Sequence, residues 1–216
     1  MATFTLEKSF DRNPVAITDK VAGVCRMFGL TAERLENNRI VHQCSIQIND
    51  GDIVYITGPS GAGKSVLLGE LEKQIEPADR INLANIEIPS DKTVIDCIEG
   101  NLLCALRHAS RAGLNDVFCI LNRCANLSDG QKMRFRLAMA MAGRGKYIFA
   151  DEFCSNLDRI TAAVISYNVR KYATEKKHIF ILASSHDDIL LDLQPDVIVI
   201  KELSGDAKVI YRKFSR

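Results

Sequence analysis

The sequence has no run of apolar residues approaching the about 18 needed to span a bilayer. Its start, MATFTLEKSFDRN, carries charges where a secretory leader needs an apolar core. These two absences predict a chain that does not insert into a membrane by itself and works in the cytoplasm. Regular cysteine pairs are missing as well. Seven cysteines (Cys25, Cys44, Cys97, Cys104, Cys119, Cys124 and Cys154) form an odd set without a repeated CxxC spacing. That excludes a disulfide framework or a zinc ribbon and leaves small buried thiols in a reducing compartment. There is no excess of one charge either: 28 basic against 27 acidic residues give a net charge of +1, so any polyanion contact must rest on a local patch. No internal repeat, low-complexity tract or long linker breaks the 216 residues, which suit one α/β domain with a full core.

What is present reads as strands alternating with helices. After a β-like TFTL (3–6), Ile17, Val21, Val24, Cys25 and Phe28 recur at spacings of three and four. This predicts an amphipathic helix opened near Asn13-Pro14 and stopped by Gly29. Residues 40–48, IVHQCSIQI, place Ile40, Cys44, Ile46 and Ile48 on one face at period two, and the turn NDGD (49–52) leads into a second strand, IVYIT. Buried strands are predicted at 53–57, 81–88, 147–151, 178–184 and 196–200, with helices near 63–75, 93–110, 130–142, 158–173 and 187–193. Strands separated by helices imply a mostly parallel sheet covered on both faces. A closing VIYRKF after the turn SGD (204–206) predicts an antiparallel edge strand.

Three stretches carry chemistry. GPSGAGKS (58–65) follows a strand and opens a helix, the context that the pattern G-x-x-x-x-G-K-[ST] requires. Gly58, Pro59, Ser60, Gly61, Ala62, Gly63, Lys64, Ser65 and Val66 are the expected phosphate-binding residues. Glycines let successive N–H groups wrap the phosphates, Lys64 reaches the β and γ phosphates, and the Ser65 hydroxyl faces Mg²⁺. KYIFADE (146–152) is a buried strand ending in two acids: Asp151 suits the magnesium shell and Glu152 the role of general base toward water. The plainer alternative is that both cap the next helix, but adjacent acids beside phosphates are costly without a cation. ILASSH (181–186) is another buried strand, and His186 at its end is placed to donate to a γ-phosphate or orient water. LSDGQ (127–131) sits at a predicted helix start, where Ser128 or Asp129 can cap and Gly130 bares backbone to an anion.

GPSGAGKS, LSDGQ, YIFADE, SNLD (155–158) and SSH stand in the order found in ATP-binding cassette ATPases, and the resemblance spans roughly residues 40–212. It implies an α/β P-loop NTPase fold of that type, binding ATP and Mg²⁺ and hydrolysing ATP. It further implies a dimer in which the signature segment of one subunit caps the γ-phosphate on the P-loop of the other. Ser128, Gly130, Gln131 and Asp158 would then contact nucleotide, with Glu152, His186 and Lys64 catalytic and Ser65 and Asp151 on the metal. Within this frame residues 1–39 are a lead-in, 40–216 the ATPase domain, and 66–127 a reduced helical subdomain.

Some features depart from the family pattern. Ser65 and Leu127 are 62 positions apart, which resembles a shortened version of the segment that engages membrane subunits in transporters. INLANIEIPSDKTVIDCI has no glutamine for the family's Q-loop, and Asn85 and Glu87 are both open as substitutes. Phe28, 30 positions ahead of Gly58, is as good a core residue as an adenine-stacking one. The chain is most similar to a soluble group of cassette ATPases, some fused to a predicted acetyltransferase domain, which implies a soluble partner protein in another chain. Two alternatives stand beside it: the ATPase subunit of a membrane transporter, and an ATP-gated switch on nucleic acid resting on Lys132, Arg134, Arg136, Arg144 and Lys146.

Overall fold

The computed structural model describes residues 2–10, 17–29, 31, 40–203 and 205–212. Among these residues eight strands form two sheets. Strand β1 (Ala2–Phe10) pairs antiparallel with β2 (Ile40–Ile48). The second sheet has the order β4-β5-β6-β3-β7-β8 and holds β3 (Ile53–Thr57), β4 (Arg80–Asn82), β5 (Tyr147–Ala150), β6 (Ile179–Ala183), β7 (Val197–Ile200) and β8 (Lys208–Tyr211). Every pairing in it is parallel except β7 with β8, the antiparallel edge. The central strands β3 and β6 are buried at every position, so IVYIT and IFILA read as continuous apolar runs rather than alternating ones.

Helices fill both faces. Helix α1 (Asp19–Phe28) lies between β1 and β2 in sequence, and α2 (Lys64–Lys73) follows β3. Leu67, Leu68 and Leu71 of α2 are buried against Val54, Ile56, Ile181 and Val199 of the large sheet and Leu6 and Ile46 of the small one. Burying each such leucine contributes about 1.5–3 kcal/mol. The opposite face is covered by α3 (Leu102–Arg111), α4 (Val117–Leu121), α5 (Asp129–Ala142), α6 (Arg159–Lys176) and the short α7 (Leu190–Leu193). Phe135, Met141, Ile165, Val169 and Tyr172 anchor that core. Among the described residues no helix is long and apolar enough to cross a membrane.

Four expectations from the sequence are corrected. The strand expected over 81–88 ends at Asn82, whose side chain accepts a hydrogen bond from the Ala84 N–H and turns the chain into a 3₁₀ turn, Leu83–Asn85. The helix expected over 93–110 is a 3₁₀ turn, Ile95–Cys97, followed by α3; Gly100 at φ 113° breaks the path and Asn101 caps the new helix. Helix α4, five residues long, was not expected at all. Helix α1 starts at Asp19 under a Thr18 cap and ends on Gly29 as expected, but its apolar stripe is not packed: Phe28 is 73% exposed and no residue of the helix is buried. Asn13-Pro14, Ser204 and Lys213-Phe214 of the predicted edge strand lie outside the described residues.

At the foot of the core His108 and His178 flank Tyr172, with ring centroids 6.0 and 5.3 Å from it. Each has a buried Nδ1 without a partner among the described residues. Burial, with Arg111 and Lys176 nearby, holds both imidazoles below their ordinary value and so keeps them neutral. The unfolded chain therefore binds protons more readily than the native one. Stability is full above about pH 6.5, the unfolded value, and is lost as pH falls through the lower folded values. Guanidinium unfolding midpoints are expected to drop between pH 7.5 and 5.5, and to drop less when both histidines are replaced by glutamine.

Candidate active site

Parallel strands put their carboxyl ends on one edge of the sheet, and β5, β6 and β3 are consecutive neighbours there. This brings together the loop Gly58–Gly63, the acids Asp151 and Glu152, and the segment Ser184–His186, which leave β3, β5 and β6 respectively. Further main-chain bonds tie the three exits: Ser184 N–H donates to Ile56 C=O (3.1 Å) and Phe153 N–H to Ala183 C=O (2.9 Å).

The loop after β3 is shaped by glycines. Gly58, Gly61 and Gly63 have φ of 140°, 79° and 95°, a region other residues rarely occupy. Lys64, only 7% exposed, folds over the loop and donates to the carbonyls of Gly58 (2.9 Å) and Pro59 (3.0 Å). Among the described residues no carboxylate pairs with this ammonium. Pro59, Ser60 and Ser65 are exposed, Ala62 is buried, and Val66 sits in the first turn of α2. Lys201, fully buried, backs the loop: its N–H donates to Thr57 C=O (2.9 Å), and its ammonium holds the carbonyls of Glu202 (2.9 Å) and Gly205 (2.6 Å).

The acids stand on a strained turn. Glu152 has φ 49° and Cys154 φ 62°, left-handed values that cost non-glycine residues about 1–3 kcal/mol each and gather at functional sites. Between them Phe153 is fully buried and pins the turn. Asp151 Oδ1 accepts from the Glu152 N–H (3.0 Å), and the Ser155 hydroxyl donates to Glu152 Oε2 (2.9 Å), leaving both carboxylates exposed. Burial pushes the Cys154 thiol up to about 12, so it is no nucleophile at neutral pH. A cavity of about 280 Å³ opens beside the acids, lined by Asp151, Glu152 and Asn156, by Leu83 and Ala84, and by Lys132 and Arg136 of α5. Ser65 and Asp151 are hard oxygen donors of the kind Mg²⁺ prefers. Among the described residues no three His, Cys, Asp or Glu side chains cluster as a metal site.

The signature segment has a structural account within its own chain. Ser128 Oγ accepts from the Gln131 N–H (3.3 Å) and Gln131 Oε1 from the Ser128 N–H (2.9 Å), a reciprocal cap on α5. Gly130 is half-buried rather than bare: a Cβ there would meet Leu157 at 3.1 Å and the Asn156 carbonyl at 3.3 Å. Asp158 caps α6 through Thr161 (2.9 Å), a bond that lowers its carboxyl below the usual range. Ser128 and Asp129 stay exposed at a 14-residue helix's N-terminus.

Of the basic residues expected here as a cluster, Lys132 and Arg136 line the cavity beside the acids, Lys132 lies 3.5 Å from Asp129, and Arg144 is exposed. Arg134 is spent on the Gly130 and Gly113 carbonyls, Arg136 on Ile86, and Lys146 on Asp50. Side chains missed in the sequence are Tyr55 and Thr57 of β3, which reach the segment carrying His186: the Tyr55 hydroxyl donates to His186 C=O, and Thr57 Oγ1 to Asp187 Oδ1 (2.6 Å). Burial raises the Tyr55 hydroxyl's pKa and keeps it a donor. Two hydroxyls in an otherwise apolar strand were the available signal.

A family model described as ABC transporter matches residues 41–99. Among curated proteins, the probable ABC transporter ATP-binding/permease protein of Haemophilus influenzae is 29% identical, over 76% of this chain and 35% of its own length. The zinc import ATP-binding protein ZnuC of Marinobacter nauticus is 23% identical, over 76% of this chain and 69% of its own. The chain thus spans about a third of the first of these relatives. Among solved structures, a dimeric ATP-binding cassette in a post-hydrolysis state with ADP and Pi superposes with a TM-score of 0.66 at 18% identity, covering 82% of this chain and 94% of that one. A nucleotide-free ATP-binding cassette from an ABC transporter gives 0.62 at 18% identity, covering 79% and 85%. The fold is that of the ATP-binding cassette.

Proposed function

Starting from the fold of the ATP-binding cassette, we propose that the chain is an ATPase of that kind, in which two copies close on two Mg·ATP and reopening after hydrolysis drives a partner protein. The observation that carries this reading is the convergence, on one sheet edge, of a glycine-rich loop folded under the buried Lys64, a strained pair of acids and His186. Lys64 and the loop amides hold the phosphates, and Ser65 and Asp151 hold the metal. A Mg²⁺ ion held by these two oxygen donors would supply positive charge to offset that of the phosphates. Glu152 accepts the proton of the attacking water as the bond to ADP breaks, and His186 donates to the γ-phosphate. Gly58, Pro59, Ser60, Gly61, Ala62, Gly63 and Val66 complete the nucleotide cradle. Ser128, Gly130 and Gln131 of the other copy close it, with Asp158 at its rim; the exposed N-terminus of α5 supplies N–H groups and a favourable dipole for an anion.

The unpacked apolar residues of α3 and α4, Leu102, Leu103, Val117, Phe118 and Leu121, offer a partner surface. A soluble partner suits the short run of small elements at 66–127, which we treat as a reduced helical subdomain inside an ATPase domain of residues 40–216. A membrane subunit is the second reading, supported by relatives whose names say import ATP-binding protein. Co-purification with a polytopic membrane protein would select it. Partnering of Arg134, Arg136 and Lys146 within the chain weakens the reading of an ATP-gated switch on nucleic acid. Seven free cysteines and the requirement for ATP support the cytoplasm.

Lys64→Ala is expected to weaken ATP binding at least about tenfold and to abolish turnover, since the ion pair with phosphate is lost. Equal ATP affinity in the variant and the parent, measured by calorimetry, would overturn the reading of the loop.

A further inference from the structure

His186 is held by its backbone alone. The residue is exposed, and among the described residues its imidazole makes no hydrogen bond; its fixed points are main-chain atoms. Its N–H donates to Ser184 Oγ (3.2 Å), and Ser184 is fully buried. Its carbonyl accepts from the Tyr55 hydroxyl, and the next side chain, Asp187, accepts from Thr57 (2.6 Å). Both donors belong to β3, the strand that runs directly into Gly58. Tyr55 and Thr57 are two residues apart and so share one face of the strand. The Tyr55 ring is fully buried among Ile53, Phe180 and Leu182, so the hydroxyl is delivered from a rigid core.

We propose that Tyr55 and Thr57 are positioning residues: they fix the segment Ser184–Asp187 to the phosphate-loop strand and thereby aim His186 at the γ-phosphate. This rests on the role given to His186 above. Satisfying the buried Tyr55 hydroxyl requires only some acceptor. A second hydroxyl on the same face, reaching the residue next to His186, is not needed for that and gives the segment two anchors where one would leave a pivot. A misplacement of about 1 Å at a reacting group costs up to about 100-fold in rate, so loss of either anchor is read in turnover before it is read in binding.

The test is steady-state ATP turnover of Tyr55→Phe, His186→Ala and the double variant. Tyr55→Phe keeps the ring and removes the donor. It is expected to lower kcat about tenfold or more with KM within about twofold, and to add nothing further in the His186→Ala background. Parent kcat in Tyr55→Phe, or an equal further loss in the His186→Ala background, overturns the proposal, because the tyrosine then acts through the fold. Parent turnover in His186→Ala is a separate result that removes the role of His186, and the proposal with it. Should Tyr55→Phe not fold, Thr57→Val is expected to lower kcat and Thr57→Ser to restore it. Equal turnover in those two overturns the proposal.

Discussion

Glu152→Gln is expected to cut ATP turnover by about 10²- to 10⁴-fold while ATP binding stays at the parent level, the range for losing a positioned general base. Glutamine keeps the shape of the side chain and an oxygen for Ser155, which donates to Glu152 Oε2 at 2.9 Å. It cannot accept the proton of the attacking water. The positive φ of Glu152 is a main-chain property that glutamine tolerates about as well as glutamate. The turn between β5 and Phe153 should therefore survive, and binding, which rests on the loop after β3, should be untouched. Single-turnover hydrolysis and nucleotide titration of the variant check both halves; parent turnover would remove Glu152 as the base.

The other large effect belongs to Gly58→Ala. A Cβ at Gly58 would lie 2.0 Å from the Lys201 carbonyl oxygen, well inside any real carbon–oxygen contact, and φ is 140°. Lys201 cannot retreat, because its N–H is held by Thr57 and its buried ammonium by the carbonyls of Glu202 and Gly205. Either the end of β7 or the phosphate loop must move, at about 3–5 kcal/mol, the upper range for overpacking with backbone strain. Gly61→Ala is the internal comparison: its φ is 79°, but no heavy atom lies within 4 Å of the added Cβ, so the cost is strain alone, about 1–3 kcal/mol. Nucleotide binding and thermal midpoint are expected to fall much further in Gly58→Ala than in Gly61→Ala. Equal losses in the two would show that the contact with Lys201 is not what fixes the loop.

What could be read in the sequence is what is local. IVYIT is bounded by turn residues on both sides, and the strand occupies 53–57 as expected. The phosphate loop is legible because its glycines, lysine and serine are contiguous. The strand expected at 81–88 was lost to the Asn82 side chain, which competes locally for backbone N–H groups. Ser128 and Gln131 carry the spacing of a capping box, a local role that stands beside the nucleotide contact proposed for Gln131. The anchoring of His186 was out of reach, since Tyr55 lies 131 positions away and only the pairing of β3 with β6 brings them together. The exposed stripe of α1 shows the opposite failure: helical periodicity marks an apolar face without naming what that face meets.

A site shared between two copies requires that Ser128, Gly130 and Gln131, which cap and pack within their own chain, also present the N-terminus of α5 to the nucleotide of the other copy. Light scattering of the Glu152→Gln protein with and without Mg·ATP tests this most directly. The predicted result is a single chain of 24.0 kDa without nucleotide and about twice that mass only with Mg·ATP, reverting when Ser128 is also replaced by arginine. A protein that binds ATP yet keeps the mass of one chain in both conditions would contradict a second copy as the cap.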